Sequence, residues 1–523
     1  MRKLLLALAA LGSVGAALTG YAEPSPSRGG TLNLVAQPEP PAISHALVSH
    51  VSTQYVSGKI LQSLLTFSTD LEAQPVLASR WDVSEDGKSY RFTLQPDVLW
   101  HDGKAFSAED VVFTFGEFYP EIDARYASIR DDYFESISAD GDAVVFQLKK
   151  PFAPLLSLLG SGLRPVVPRH LYEGSDLRNN PVNLKPVGTG PFVFDEWKRG
   201  AWIKLKRNPN YWKPDLPYLD GIVFHVIPDA ASRAAAYERG DIHVLRGGDA
   251  DYADVKRLAA LDGSHLSDKG YELYAGQAFL QVNTRNPPLD NVLVRQAIQH
   301  ALNRQFIVDH IFFGNGKVAR GAFVSGTPYH DPQLPQYDFD LERARQLIRE
   351  SGVDTSKVTL RLLNGERGGA WERLAEYTRQ ALQPLGLRVQ VVTSDSATWY
   401  QRASNWDFDL TYNFNFQVGD PYLSTAYFYR SEYILKTSPF ANIVGYRNPE
   451  ADALWRQVAD AGNETERRQL YSELEHLLNH DLPLIPIFEI SFPTLYRDKV
   501  RNLLQTATSL NESYDSVYLE GGQ

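Results

Sequence analysis

His476 and His480 stand four residues apart in a stretch with helical character, a spacing that puts two imidazoles on one helix face where they can hold zinc. The stretch has no H-E-x-x-H signature and otherwise reads as a charged surface face, so no metal is expected there. Other catalytic signatures are missing too. Gly160-Ser161-Gly162 lacks the spacing of a nucleophile elbow. Gly188-Thr189-Gly190 lacks the third glycine of a dinucleotide fingerprint, and Gly314-Asn315-Gly316-Lys317 lacks the rest of a phosphate loop. With no cysteine, the chain has no disulfide, thiolate metal site, iron–sulfur cluster or thiol nucleophile, and no N-terminal cysteine to carry a lipid anchor. Its single Met is the first residue.

The chemistry that remains is recognition. The chain holds 9 Trp, 27 Tyr and 25 Phe, and the run Tyr412, Asn413, Phe414, Asn415, Phe416, Gln417 alternates aromatics with amides, a pattern that suits stacking and hydrogen bonding around hydroxyls or amides. Trp371 and Trp399 are further stacking candidates, Trp399 where a cleft wall is expected. Arg367, in Glu366-Arg367-Gly368-Gly369, offers a two-pronged guanidinium to a carboxylate or phosphate. Glu39 lies in the loop 37–43, which breaks the first strand and is placed to face a cleft. Each aromatic has an ordinary alternative place in the core, and Arg367 one as a solvated loop residue.

Elements must hold these groups. Residues 31–35 alternate as a strand, and 81–84 with 89–94 form a hairpin around Asp86-Gly87. Ser107 to Asp110 reads as a capping box, and Asp140-Gly141-Asp142 turns a second hairpin into 143–148. A β-α-β alternation covers 221–226, 230–239 and 242–245; 278–283 is a further strand, and 292–312 is one long amphipathic helix. After Pro335 the pattern restarts as a separate domain, with strand 357–363, helix 371–382 and strand 387–392. A short strand at 407–412, helices at 450–460 and 464–478, and a strand at 484–488 follow.

At 523 residues the length favours two or three domains, and 43% apolar with 22% charged residues is a globular composition. A net charge of -11 gives no general phosphate-binding surface, which excludes nucleic acid as an expected partner. Arg2 and Lys3, the apolar stretch 4–18 and Gly20-Tyr21-Ala22 compose a signal peptide cleaved after Ala22. The destination read from this is the periplasm of a Gram-negative bacterium, without a lipid anchor.

The segment Leu77-Ala78-Ser79-Arg80-Trp81-Asp82-Val83-Ser84-Glu85-Asp86-Gly87-Lys88-Ser89-Tyr90-Arg91-Phe92-Thr93-Leu94, with Trp100-His101-Asp102-Gly103 and the helix start at Ser107, resembles the signature of the family 5 extracellular solute-binding proteins, which bind peptides, opines and nickel. Val187-Gly188-Thr189-Gly190-Pro191-Phe192, Arg207-Asn208-Pro209-Asn210-Tyr211-Trp212, Asn283 to Leu289 with Val294-Arg295-Gln296-Ala297, and Gly419-Asp420-Pro421 follow in the family's order. The resemblance implies an α/β, two-lobed periplasmic binding protein of the large type, with mixed β-sheets flanked by helices and a hinge between lobes. Lobe I would take 23–282, with an extra subdomain at about 64–187, lobe II 283–481, and 482–523 would return to lobe I. It implies a monomeric receptor that closes on a small-molecule or peptide ligand and delivers it to an inner-membrane ABC permease, with no cofactor and no catalysis. A periplasmic hydrolase or a chaperone-like peptide binder is the competing class.

The resemblance also assigns roles. Peptide-binding members hold the ligand's α-amino group with an Asp where this chain has Gln417, and dipeptide receptors bind the carboxylate with an Arg in the loop of Arg367. Gln417 cannot neutralise an ammonium, which argues against ordinary dipeptides; a small peptide-like or polar organic ligand is expected, with an opine, sugar conjugate or metal chelate as the alternative. Asp420 would bind amide or amine groups. Tyr422 matches the Tyr of the nickel receptors' Trp-Gly-Ala-Pro-Tyr, whereas Val418 replaces its Trp.

Overall fold

Alternating burial along Thr31–Val35 seats Leu32 and Leu34 in the core and leaves Thr31 in solvent, the pattern of a strand with one wet face. A computed structural model describes residues 26–48, 50–366, 368–436, 438–508 and 511–521. The proposed signal peptide and Arg367 lie outside the described residues. Thr31–Val35 runs parallel to Gly221–His225, which continues through Trp202–Arg207 to Phe192–Lys198 as a four-stranded mixed sheet. A second four-stranded sheet joins the two hairpins, in the order Ala78–Val83, Ser89–Leu94, Ala143–Leu148, Phe134–Asp140. Gly87 and Gly141 turn them in the left-handed conformation, at φ 65° and 63°. Helix Ala108–Phe113 starts with the Asp110 carboxylate accepting the Ser107 N–H at 3.0 Å.

The third large sheet has six strands, in the order Gly316–Val318, Leu484–Ile490, Tyr274–Val282, Leu410–Val418, Thr359–Gly365, Arg388–Ser394. Thr359–Gly365 and Arg388–Ser394 are parallel and joined by helix Gly369–Leu382, the βαβ unit expected after Pro335. They do not stand apart as a separate unit, because Leu410–Val418 bonds this pair to Tyr274–Val282 in one continuous sheet. One core of this region packs Leu280, Val282, Leu362, Leu374 and Ile487 against the sheet. The largest cluster runs from Phe92 and Phe115 to Phe323, Trp455 and Tyr471. Each buried side chain of this size contributes about 1.5–3 kcal/mol.

Three sequence expectations are corrected. The helix over 292–312 breaks: Val292–Ala301 ends as Leu302 turns extended, and the Asn303 side chain caps a new turn by accepting the Phe306 N–H at 2.9 Å. Strand Val244–Leu245 pairs not with Gly221–His225 but with Thr494–Arg497 in another sheet, so 221–245 is not a single βαβ layer. The strand placed at 407–412 starts at Leu410 and runs to Val418. Gly188 and Gly190 serve packing rather than a nucleotide: a Cβ on either would meet the Ile60 carbonyl oxygen, at 1.9 Å and 2.6 Å, and Gly190 N donates to that oxygen at 2.9 Å.

Candidate functional site

Strand periodicity divides Leu410–Val418 into two chemistries. Tyr412, Phe414, Phe416 and Val418 share one face, and Asn413, Asn415 and Gln417 the other. Opposite them on Tyr274–Val282, Phe279 faces Asn413 and Gln277 faces Asn415.

On the aromatic face, Tyr412 and Trp371 are core. Tyr412 is 3% exposed, with its hydroxyl 2.6 Å from Thr378 Oγ1, and Trp371 packs between Phe312 and Tyr412. Trp399, expected at a cleft wall, is instead buried at 4% exposure with its indole N–H on Thr411 Oγ1 at 3.0 Å. The half-buried Phe414 and Phe416 begin a ring-to-ring path, with centroids 5.9 Å apart, then 5.3 Å from Phe416 to Phe492 and 5.5 Å from Phe492 to Tyr271. Phe492 fits because two glycines flank it: a Cβ on Gly247 would lie 2.4 Å from Phe492 Cβ, and one on Gly276 2.7 Å from its ring.

Beside Gly247 stands Arg246, 6% exposed. Its Nε lies 3.3 Å from both Asp249 oxygens, Nη2 donates to the Gln37 carbonyl, and the guanidinium sits 4.8 Å over the Tyr55 ring. Nη1 is buried with no hydrogen-bond partner among the described residues, a spare donor held in place by the bonds of Nε and Nη2. Sequence reasoning missed Tyr271, Phe492 and Arg246. The last had a local signal in Arg246-Gly247-Gly248-Asp249, a charged pair closed by Gly248 at φ 91°.

The polar face is a layer of amides. Asn413 is fully buried and donates to Gln281 Oε1 at 3.3 Å and to the Pro439 carbonyl at 3.1 Å, so its polar groups are engaged internally. Asn415 reaches Thr425 Oγ1 at 3.4 Å. Gln417 Oε1 accepts the Val324 N–H at 3.3 Å, whereas Gln417 Nε2 is buried without a hydrogen-bond partner among the described residues. Gln277, Asn415, Gln417 and Thr425 line a small cavity closed by Phe428 and Tyr429. The structure thus brings Asn415 and Gln417 together at one cavity.

It removes three others from such a site. Asp420 is 1% exposed: Arg467 Nη2 donates to Oδ2, Tyr471 OH to Oδ1 at 2.6 Å, and the Tyr422 N–H to Oδ1 at 2.9 Å. Its acceptors are taken, so it anchors the chain rather than a ligand. Tyr422 is core, 5% exposed, edge-on to Phe152 at 6.0 Å and under the Arg430 guanidinium. Glu39 turns to the hairpin at Gly200, accepting the Trp197 indole N–H at 2.9 Å and the Gly200 N–H at 3.0 Å. His476 and His480 pair with different carboxylates, Asp331 at 3.2 Å and Asp481 at 3.0 Å.

Comparison with known proteins places this arrangement. A family profile described as bacterial extracellular solute-binding proteins, family 5 Middle, matches residues 72–434. Di/tripeptide-binding protein 1 of Pseudomonas aeruginosa is 27% identical over 469 residues, covering 84% of this chain and 85% of the relative. Heme-binding protein A of Haemophilus influenzae is also 27% identical, covering 90% and 88%. A periplasmic binding protein of Helicobacter pylori, solved with the peptide STSA, superposes with a TM-score of 0.80 at 24% identity, over 94% of this chain and 99% of that one. This chain shares with it the two-lobed mixed α/β architecture of periplasmic binding proteins. The profile spans the hairpins, the glycines packed on Ile60, the Phe414 to Gln417 face and the Asp420 anchor alike, and the chain belongs to the family 5 bacterial extracellular solute-binding proteins.

Proposed function

We propose that this protein is the periplasmic receptor of an ABC importer, exported by its N-terminal leader, that captures a small peptide-like or polar organic ligand by lobe closure and releases it to an inner-membrane permease. It acts as a monomer and by binding alone. Family membership supports the receptor role, and the single observation that carries the ligand class is Gln417. An amide with a free buried N–H stands at the cavity instead of a carboxylate, so the group it meets is a neutral acceptor such as a carbonyl or hydroxyl. Against hydrolysis, the Ser57 hydroxyl that bonds His45 Nδ1 is fully buried. Native mass spectrometry of the purified protein, with identification of any small molecule it releases, tests the reading. A bound opine, sugar conjugate or amide agrees with it, and turnover of an ester or amide substrate overturns it.

Gln417→Asp reverses the chemistry. It should raise affinity for a free-amine dipeptide about tenfold, the effect of one charge-assisted bond, in a calorimetric titration. Unchanged dipeptide affinity would show that the missing carboxylate does not set the preference.

On this reading, contacts between 133–153 and 459–460 help hold the closed state. Asp460 accepts the Tyr133 hydroxyl at 2.9 Å and Lys150 Nζ at 3.0 Å, next to the Ala153 N–H on the Ala459 carbonyl at 3.0 Å. The Lys150 pair is exposed and weak, whereas the Tyr133 hydroxyl loses a charged acceptor in Asp460→Ala. That variant should release ligand about tenfold faster in stopped-flow measurements, with association little changed.

A further inference from the structure

Helix Glu464–Asp481 turns Arg467, Tyr471 and Glu475 to one buried face at four-residue spacing. The first two hold Asp420. Glu475 is fully buried and holds a different part of the chain. Its Oε1 accepts the Phe323 N–H at 2.9 Å and lies 3.1 Å from His330 Nδ1, and its Oε2 accepts the Asp331 N–H at 2.7 Å. All three partners belong to one segment, 319–331, which has neither helix nor strand and so no ladder of its own to fix its path. A buried carboxyl is costly unless its oxygens are satisfied, and here this strap alone supplies the donors.

The strap meets one side chain on each of three neighbouring strands of the six-stranded sheet. Glu489, 4% exposed, accepts the Ser325 N–H at 2.8 Å and the Ser325 hydroxyl at 2.9 Å. Gln277, directly across from Glu489, donates through Nε2 to the Gly321 carbonyl at 2.7 Å. On the third strand Gln417 accepts the Val324 N–H. Gly321 lets the strap pass between helix and sheet: a Cβ there would lie 2.3 Å from Glu475 Oε1 and 2.4 Å from Leu334 Cδ1. Between these bonds the Phe323 ring packs edge-on to Tyr471 at 5.4 Å and to Trp455 at 5.9 Å. An amide side chain can be turned end for end with little change of shape, so the bond at one end decides which group is left at the other. The strap takes the N–H of Gln277 and the carbonyl of Gln417, which leaves Gln277 a carbonyl and Gln417 an N–H for further partners.

We propose that Glu475 is a positioning residue of the receptor site: by holding the strap 319–331 across the sheet it fixes the orientation of the Gln277 and Gln417 amides, and with it the acceptor and donor offered to a ligand. That pair suits a group that both donates and accepts, such as an amide or a hydroxyl. The ligand role rests on the receptor reading of the amide cavity, and Glu475 acts in it only through the strap.

The test is NMR of the ligand-free protein labelled with 15N-glutamine, together with hydrogen exchange. In Glu475→Ala the side-chain N–H signals of Gln277 and Gln417 should move, and the Val324 and Ser325 amides should exchange at least about tenfold faster. Gln281 is the control: it lies on the same strand as Gln277 but is bonded to Asn413, not to the strap, and its signal should stay in place. Gly321→Ala keeps both carboxyls and displaces the strap by its Cβ alone, so it should give the same signature and decides the matter if Glu475→Ala folds poorly. A loss of stability with Gln277 and Gln417 unmoved, or an equal change in all three glutamines, would overturn the proposal. Neither result bears on whether the protein is a receptor, which the ligand released in native mass spectrometry decides.

Discussion

Asp420→Ala should cost about 3–5 kcal/mol of stability, read as a lowered urea midpoint of the ligand-free protein. The cost is that of stranding a buried cation. Arg467 is 4% exposed and its guanidinium reaches Asp420 through Nη2, the Tyr329 hydroxyl through Nη1 at 2.8 Å and the Val458 carbonyl through Nε at 2.9 Å. Burial pulls the guanidinium's affinity for its proton down, and Asp420 more than restores it, so removing the carboxylate leaves a charge that cannot be shed. Tyr471 loses its acceptor in the same step. A double variant, Asp420→Ala with Arg467→Met, should recover part of the loss, because it removes the uncompensated charge along with its partner. A loss below about 1 kcal/mol for the single variant would return Asp420 to the pool of ligand contacts.

His45→Gln should flatten the acid side of the stability curve by about 3 kcal/mol. His45 is 4% exposed, its Nε2–H donates to the Gly162 carbonyl at 2.9 Å and its Nδ1 accepts from Ser57. The bond accepted at Nδ1 requires the neutral ring, and burial pulls the pKa from 6.5 to about 4 although the Gly162 bond opposes the shift. Between those values the unfolded chain holds a proton that the folded protein refuses, so stability is lost as pH falls from about 6.5 towards 4, at about 1.4 kcal/mol per pH unit. Glu512 acts with the opposite sign: burial pushes its carboxyl above the usual carboxylate range, so it contributes stability that is complete at low pH and lost as pH rises. Burial also pulls His101 and His243 down to about 4, so the wild-type curve mixes several groups, and the wild-type-minus-variant difference, measured by urea unfolding from pH 7 to 4, isolates His45. A difference independent of pH would mean that His45 is protonated in the fold.

Local signals were legible in the sequence. Asp86-Gly87 and Asp140-Gly141 announced hairpins, Ser107 and Asp110 a capping box, and 357–392 a parallel βαβ pair, since each depends on neighbours a few residues apart. The amide alternation from Asn413 to Gln417 was also visible, and the structure places Asn415 and Gln417 at one cavity. What period alone could not tell was which face met the core, so Tyr412, Trp371 and Trp399 read as ligand contacts although they are interior. The Asp420 pairing was hidden because Arg467 lies 47 residues away on another element. Phe492 was hidden for the same reason: its place is made by Gly247 and Gly276, whose relevance is a missing side chain.

The amide layer has a physiological corollary. Gln277, Asn415, Gln417 and Thr425 carry no proton that titrates in any ordinary environment, and burial lifts the Tyr429 hydroxyl far above neutrality. The scaffold feels acid through His45, but the proposed recognition surface does not change its ionisation. In a compartment that takes on the acidity of the medium outside, cargo selection would then follow the cargo's own protonation, and the receptor's taste would stay fixed while its durability varied.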